Sequence, residues 1–437
     1  MPQPTFSELV RVFARIGVLS FGGPAGQIAL MHKELVEDRQ WVDEGQYLRA
    51  LNFCHLLPGP EAQQLATWIG WRLHGFRGGI AAGMLFVLPG ALVMLALSVL
   101  YALAANLRWF DAVFLGIKAA VLAIVVQALL RVGGRALRTP FKKGLAALSF
   151  LALFLFNLPF PLVVLGTALI GMAVASRRPD WLGLGAAGSV PSPSSHNRPS
   201  IGMTLRTVVG WLIVWAAPMA LVLLLLGPDH ILWRIGAFFS QLAVVTFGGA
   251  YAVMAYMAQE AVQSQHWLSA GEMADGLGLA ETTPGPLIMV TQFVGFLGAY
   301  RLPAPFSPMM AGMLGALLTT WVTFAPCFLW IFALAPWMER LEHVQRLQGA
   351  LAAVTAAVVG VIANLTLWFA LHVLFAHVSE KHFGVVRAYV PDGATLDMRV
   401  VILATLAAIM VFRLRLNLLL VLAISAGAAT ILVFAPN

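Results

Sequence analysis

Long apolar stretches, separated by short polar ones, make up most of this chain. Several of them contain no Asp, Glu, Lys or Arg, among them residues 78–107, 144–176, 302–338 and 347–379. About 20 apolar residues are enough to cross a lipid bilayer as a helix. A membrane β-barrel would instead show short segments of alternating hydrophobicity. The pattern therefore predicts an all-α polytopic membrane protein.

Two copies of one sequence pattern lie 226 residues apart. Fifteen positions are identical between residues 11–60 and 237–286, with no gap in either copy. The Phe-Gly-Gly at residues 21–23 corresponds to the one at residues 247–249. Each copy ends in a Pro-Gly-Pro motif. The protein is therefore predicted to be an internal duplication with a Gly/Pro break inside a hydrophobic segment of each half.

The helices around these breaks can be placed from local signals. The first helix of the chain is predicted to break at its Phe-Gly-Gly. A capping pattern then starts the next helix, because Asp43 precedes Gln46 and Ser269 precedes Glu272 by three residues. In the first half this helix is interrupted at the Pro-Gly-Pro and resumes at Glu61. Matching breaks in two halves are the best sequence pointer to a transporter's binding site.

The apolar pattern predicts about 13 transmembrane segments, grouped as six, one and six. The predicted parts are a first repeat (1–175), a linker rich in Ser, Pro and Gly (176–204), a central transmembrane helix (205–226) and a second repeat (227–437). The odd central helix makes the second repeat inverted relative to the first, as in many secondary transporters. This inversion requires residues 144–175 to form a two-helix hairpin rather than one span.

Charge sets the orientation and excludes other classes. Only 11% of residues are charged, and the net charge is +8. With the N-terminus inside, 16 basic residues fall on the cytoplasmic side and nine outside, which agrees with the positive-inside rule. Basic loops therefore suit membrane orientation, and no nucleic-acid partner is expected. The two cysteines form no disulfide or metal pattern, and no phosphate-binding P-loop occurs, so no metal or cofactor is predicted.

The breaks offer chemistry for an anion. The free N–H groups at the start of a resumed helix carry partial positive charge and bind anions. Two such helix ends directed at one centre would enclose an oxyanion, assisted by nearby hydroxyl and amide groups. The predicted substrate-binding residues are Gly22, Gly23, Pro58, Gly59, Pro60, Gln63, Gln64, Lys118, Gly248, Gly249, Thr282, Thr283, Pro284, Gly285, Pro286 and Gln292, with Thr67 and Thr291 as further hydroxyl donors. The alternative is that Pro and Gly only kink spanning helices, where both are common.

Three ionisable residues are also candidates for a functional role. Lys118 lies in an apolar run, where a charge is costly, although its ammonium could instead reach the interface. Its equivalent in the second half is Leu351, so the repeat itself does not require a lysine. Glu61 and Glu281 flank the two Pro-Gly-Pro motifs and are candidates for proton coupling. Each could equally cap a helix end.

The sequence resembles the chromate ion transporter family, in its long two-domain form. The motifs that carry the resemblance are Phe21-Gly22-Gly23-Pro24, Trp41, Leu57-Pro58-Gly59-Pro60 with Gln64, Gly70, Thr246-Phe247-Gly248-Gly249-Ala250-Tyr251, Trp267, and Thr283-Pro284-Gly285-Pro286 with Phe293-Val294-Gly295. Glu61-Ala62-Gln63 departs from the more apolar stretch expected there. The resemblance implies efflux of chromate through the bacterial inner membrane, resistance to chromate, and sulfate as a look-alike substrate.

Composition and spacing alone leave other functions open. An importer of sulfate or another oxyanion and an anion channel would both fit the duplicated breaks. A membrane enzyme is not expected, because paired metal ligands and a nucleophile elbow are absent from the sequence. The expected partners are a small oxyanion and the lipid bilayer, and the oligomeric state stays open, a homodimer included.

Overall fold

The computed structural model describes residues 4–434 except 22, 105–106, 185–199, 248–249 and 342–343. Helices dominate the described residues, which confirms the all-α prediction. The helices are α1 (Phe6–Leu19), α2 (Gly23–His32), α3 (Glu44–His55), α4 (Glu61–Ala104), α5 (Arg108–Ala136), α6 (Pro140–Phe154), α7 (Phe160–Arg177), α8 (Ile201–Leu226), α9 (Ile231–Val245), α10 (Ala250–Ala258), α11 (Ala270–Thr282), α12 (Val290–Arg301), α13 (Pro308–Leu334), α14 (Met338–Leu341), α15 (Gln345–Leu374), α16 (Met398–Ala408) and α17 (Leu418–Phe434). Most of the predicted linker, residues 185–199, lies outside the described residues.

Six helical segments are long and apolar enough to cross a membrane. They are Glu61–Ala104, Arg108–Ala136, Phe160–Arg177, Ile201–Leu226, Pro308–Leu341 and Gln345–Leu374. Three shorter apolar helices are Ile231–Val245, Leu287–Arg301 and Leu418–Phe434. These helices make the chain a multi-pass membrane protein. The count of about 13 segments and the inversion of the second repeat stay predictions.

The described chain divides into two compact units, each built from both halves of the sequence. Unit 1 comprises Met1–Ser98, Gly185–Val253 and Thr283–Gln348. Unit 2 comprises Val99–Leu184, Met254–Thr282 and Gly349–Asn437. The compact units therefore differ from the sequence repeats, whose predicted boundaries describe homology rather than spatial separation.

The repeat is visible in the backbone at the spacing of 226 residues. Short π-helices occupy Lys33–Asp38 and Gln259–Ser264, which correspond residue for residue. Gln40 and His266, also a matched pair, both have positive φ. The helix that follows begins at Glu44 in one half and Ala270 in the other, and both predicted capping patterns form. The internal duplication is therefore structural as well as sequential.

The first helix, α1, contributes one face to the buried core of unit 1. The buried residues of α1 are Leu9, Val12, Phe13, Ile16 and Gly17. Their spacing is that of one face of a helix. A reciprocal capping box between Thr5 and Glu8 starts this helix. As predicted, the helix ends just before the first Phe-Gly-Gly.

The predicted central helix α8 belongs to unit 1, is mostly exposed and packs against the rest of that unit along one side. Indole N–H groups fasten it to α13 in both directions: Trp215 donates to the Val322 carbonyl at 3.0 Å, and Trp321 donates to the Val214 carbonyl at 3.2 Å. The remaining surface of α8 is apolar and exposed. That surface suits contact with lipid.

α4 is two helical arms joined by a tight reversal. Its backbone is non-helical at His74 and Gly75, so residues 61–73 and the longer segment that follows are separate helical arms. The arms meet at Gly70 and Gly78, where a Cβ on Gly70 would lie 2.3 Å from the Gly78 carbonyl oxygen. Small residues allow membrane helices to approach this closely.

A β-hairpin in unit 2 lies outside the helical pattern and was not predicted. Strands β1 (Val378–Phe383) and β2 (Val386–Pro391) pair antiparallel around a turn with Gly384 at φ 64°. Buried Arg387 joins the hairpin to the end of α6, since its Nη2 donates to the Leu153 carbonyl at 2.9 Å and its amide donates to the Leu155 carbonyl at 2.6 Å. A positive charge is favourable at a helix C-terminus. Burial also raises the pKa of Tyr389, whose ring contacts Arg387, to about 12.

Gly70→Ala tests the close contact in α4. We expect destabilisation of about 1–3 kcal/mol, because the added methyl group overpacks a backbone contact. Thermal unfolding of the purified protein in detergent measures the effect. Gly134→Ala in α5 is the matched control, since a Cβ there meets no atom within 4 Å and alanine favours a helix. Equal unfolding temperatures for the two variants would contradict the packing described for α4.

Candidate functional site

Each Pro-Gly-Pro motif forms a turn between two helices, as predicted. In the first half, α3 ends at His55 and α4 begins at Glu61. In the second half, α11 ends at Thr282 and the chain continues through a short 3-10 turn into α12. The central glycines have φ of +113° at Gly59 and +83° at Gly285. This region of backbone conformation is open to glycine and strained for other residues, which explains the motif.

The two turns are hydrogen-bonded to opposite halves of the sequence, within unit 1. The amide of Gly59 donates to the carbonyl of Thr246 at 2.9 Å, and the amide of Gly285 donates to the carbonyl of Ser20 at 2.9 Å. Ser20 and Thr246 are themselves a matched pair, each at the end of the first helix of its half. Each repeat therefore pairs the broken backbone of the other. Reciprocal contacts of this kind require an approximate two-fold relationship between the halves at this point.

The packing contacts of each turn are also made by the opposite half of the sequence. A Cβ on Gly59 would lie 2.9 Å from the sulfur of Cys327, next to the internal proline of α13. A Cβ on Gly90, next to the internal proline of α4, would lie 2.4 Å from the carbonyl oxygen of Pro284. Each Pro-Gly-Pro turn thus packs tightly against the proline-containing helix of the other half. The turns and the two kinked helices form one crossing, which we call the repeat crossing.

The predicted glutamines lie at the repeat crossing and hold its backbone. The side-chain amide of Gln64 donates to the Pro58 carbonyl at 2.7 Å, and that of Gln63 donates to the Phe324 carbonyl at 3.5 Å. Gln27, which the sequence analysis missed, donates to the carbonyls of both Gly285 and Ser20. All three glutamines are buried. The signal that could have found Gln27 is a polar amide in an otherwise apolar helix.

Several buried polar atoms around the repeat crossing have no hydrogen-bond partner among the described residues. They are the side-chain amide oxygens of Gln27, Gln63, Gln64 and Gln292 and the hydroxyls of Thr291 and Thr323. A buried polar atom left unpaired costs about 1–3 kcal/mol. This free energy is recovered when water or a polar ligand occupies the adjacent space. The crossing is therefore suited to a hydrated guest, in which water donates to the amide oxygens while the two hydroxyls remain able to donate to an anion.

The remaining predicted residues fall into three groups. The hydroxyls of Thr67 and Thr282 are used within their own helices, bonding the carbonyls of Gln63 and Leu279 at 2.9 and 2.8 Å. Thr283 and Glu281 are buried, and Glu61 is half-buried in the first turn of α4. Of the predicted Phe-Gly-Gly residues, Gly23 begins α2 with φ +70°, while Gly22, Gly248 and Gly249 lie outside the described residues.

In unit 2, Lys118 is paired rather than isolated. Its ammonium lies 3.1 Å from Oδ1 of Asp275 on α11, and the hydroxyl of Tyr101 donates to Oδ2 of the same carboxylate at 2.7 Å. The Lys118 side chain is 25% exposed and that of Asp275 is 6% exposed. Sequence reasoning missed Asp275, because Glu272 and Glu281 in the same helix make an acidic residue there unexceptional.

Unit 2 also contains a basic pocket of about 500 Å³. It is lined by Gln127 and Arg131 near the end of α5, and by Val411, Phe412, Arg415, Leu416 and Leu418 around the turn into α17. The orientation predicted from the sequence assigns Arg131 and Arg415 to the same side of the membrane, as a shared pocket requires. Two guanidinium groups beside an amide form a suitable environment for an anion.

Gly59→Ala and Gly285→Ala test the repeat crossing. Both substitutions place an alanine at positive φ next to a packed neighbour, so each should unfold at a lower temperature and lose most of its transport activity. Gly384→Ala in the β-hairpin is the control, because it has positive φ but open space around its Cβ. Thermal unfolding measures the loss of stability, and substrate flux measures the loss of transport. Full transport by both variants would contradict a functional role for the crossing.

Comparisons with known proteins place this architecture in a family. The sequence profile described as "Chromate transporter" matches residues 7–172 and 233–431. The chain is 31% identical to a "Chromate transport protein" of Pseudomonas aeruginosa over 84% of this chain and 81% of that protein. It is 27% identical to a "Chromate transport protein" of Cupriavidus metallidurans over 83% of this chain and 82% of that protein. No solved structure matches the chain. The two matched stretches cover both halves of the duplication, and the chain belongs to the chromate transporter family.

Proposed function

We propose that this protein is a secondary transporter that exports chromate across the bacterial inner membrane and so confers resistance to it. The observation that carries the proposal is the repeat crossing, where two helix breaks meet inside one compact unit. Membrane proteins keep irregular backbone away from lipid, where it is buried in protein or lines a cavity. The names of the relatives from Pseudomonas aeruginosa and Cupriavidus metallidurans supply the substrate.

The chemistry of the crossing fits a tetrahedral dianion. α4 resumes directly after Pro60, and the first amides of a helix lack carbonyl partners within the helix. Such amides, together with the positive end of the helix dipole, favour an anion. The hydroxyls of Thr291 and Thr323 add two unpaired donors among the described residues. Oxygen atoms of a chromate or sulfate ion accept bonds from donors of both kinds.

The crossing also suits alternating access. Each turn is tied to the opposite half by one backbone hydrogen bond and by contacts of small residues. An interface of this type can exchange between two equivalent arrangements, because the two halves present the same backbone to each other. A substrate held there would then face the two sides of the membrane in turn.

The membrane potential favours the proposed direction of transport. A dianion that leaves a cell with a negative interior gains roughly 4.6 kcal/mol per 100 mV, at about 2.3 kcal/mol for each charge. Export can therefore run on the membrane potential alone. With the N-terminus inside, the basic pocket would open toward the cytoplasm and concentrate dianions before transport.

Flux measurements in inverted membrane vesicles test the proposal. Vesicles with an imposed potential, positive inside, should accumulate radiolabelled chromate in a saturable way, and collapse of the pH gradient should not stop them. Pro58→Ala/Pro284→Ala should lose this flux, while Pro140→Ala, at an exposed helix start, should keep it. Sulfate accumulation that depends on a pH gradient, without chromate flux, would indicate an importer instead. Flux that does not saturate would indicate an anion channel.

Arg131→Gln/Arg415→Gln tests the basic pocket. We expect the KM for chromate to rise about 3–10-fold with little change in maximal rate, because steering acts on encounter rather than on turnover. The dependence of KM on ionic strength should weaken in parallel. Lys33→Gln/Lys381→Gln removes the same charge from exposed positions and is the control. An unchanged KM at low salt would contradict a role for this pocket in capture.

A further inference from the structure

The ion pair between Lys118 and Asp275 is the strongest feature that the proposed function leaves unused. Lys118 lies in the apolar helix α5 and Asp275 lies among the buried residues of α11, with 3.1 Å between the ammonium and the carboxylate, which is almost fully buried. Ionisable residues within membrane segments are costly and usually mark a functional pathway. A pair of apolar residues would pack there at no loss of stability, since buried ion pairs contribute little net free energy.

The duplication supports a functional rather than an architectural reason for the pair. The positions that correspond to Lys118 and Asp275 in the opposite halves hold Leu351 and Arg49. Neither half therefore needs a Lys–Asp pair to build its helices. Each partner occurs in one copy only, like the polar side chains at the repeat crossing, and the pair joins the two copies.

The two partners are held unequally. Asp275 has a second bond, from the Tyr101 hydroxyl to Oδ2, and Tyr101 is itself fixed by ring contacts with Phe110 and Phe114 at 5.3 and 5.4 Å. Lys118 is a quarter exposed, and its ammonium lies beside Gly271, where even a Cβ would meet Nζ only in an ordinary contact of 3.5 Å. Asp275 is thus anchored without Lys118, whereas the ammonium can move while its carboxylate stays in place.

We propose that Lys118 binds the transported oxyanion and that Asp275 is its internal counter-ion, which competes with the oxyanion for the ammonium. This inference rests on the proposed function. When the site is empty, the carboxylate neutralises Lys118 at a depth where a lone charge is costly. When the oxyanion takes the ammonium, the anchored carboxylate lies close to a like charge, and their repulsion promotes release. Among the described residues, Glu272 is a further acidic side chain that acts on this carboxylate, and it lies one turn earlier in α11.

Kinetics of the full-length protein in proteoliposomes test the competition. Asp275→Asn should lower the KM for chromate and also lower the maximal rate, because the oxyanion meets no competitor and leaves slowly. Lys118→Met should raise KM about tenfold or more, the loss expected for one charge-assisted hydrogen bond. Tyr101→Phe should shift KM upward, opposite to Asp275→Asn, since a less anchored carboxylate depends more on Lys118.

The double variant Lys118→Met/Asp275→Asn separates the proposal from a structural role. It carries no buried charge and should unfold at the wild-type temperature, yet keep the high KM of Lys118→Met. Wild-type kinetics in the double variant would overturn the proposal and leave a structural ion pair. Asp397→Asn/Arg399→Met removes an exposed pair with a 2.8 Å contact and should leave KM unchanged. If Asp275→Asn does not fold, the direction of the Tyr101→Phe shift decides, and a fall in KM would overturn the proposal.

If the protein does not transport chromate, the experiments give a different set of results. In that case wild-type protein would show no chromate flux, and thermal stabilisation by sulfate, molybdate and phosphate would be compared instead. Stabilisation by one of these anions that Asp275→Asn strengthens and Lys118→Met abolishes would retain the counter-ion role for another oxyanion. Stabilisation that neither variant alters would overturn it.

Discussion

The structure depends on one constraint: a chain that breaks inside a membrane must still pair its backbone N–H and C=O groups. Here each half supplies the partner that the other half lacks. Gly59 donates to the end of α9, and Gly285 donates to the end of α1. The two repeats are therefore not independent domains, and compact unit 1 is assembled from both. Glycine, proline and other small residues are required at these positions. They permit the tight turns and allow the backbones of the two halves to come within hydrogen-bonding distance.

The backbone of the crossing is symmetric, but its chemistry is not. The matched positions of Gln27, Gln63 and Gln64 hold Val253, Met289 and Val290. In the other direction, Thr291 and Gln292 correspond to Leu65 and Ala66. Duplication thus supplied a two-fold frame, and later divergence placed polar side chains at different positions in each copy. A frame of this kind can present one asymmetric binding site while retaining two related conformations.

Charged side chains are few, and their surroundings differ. The exposed arginines of the basic pocket remain solvated, as the proposed capture of an anion requires. Lys118 sits deeper, where its charge is tolerated because Asp275 and Tyr101 form a neutralised cluster. By contrast, the guanidinium of buried Arg387 donates to the end of α6 and to the side chain of Gln263, so its role is structural. These cations differ in whether their present hydrogen-bond partners can be replaced by another anion.

The sequence by itself determined the membrane class, the duplication and the position of the two Pro-Gly-Pro breaks, because these follow from apolar length, a constant spacing of 226 residues and the backbone demands of Gly and Pro. It also pointed to Gln63, Gln64 and Lys118 as polar groups in apolar surroundings. Only the tertiary structure decided their partners. The pairing of Gly59 with Thr246, of Lys118 with Asp275 and of Arg387 with α6 joins residues more than 150 positions apart. Local propensity carries no information about such contacts, since they are fixed by how the helices pack and by which buried polar groups remain to be paired.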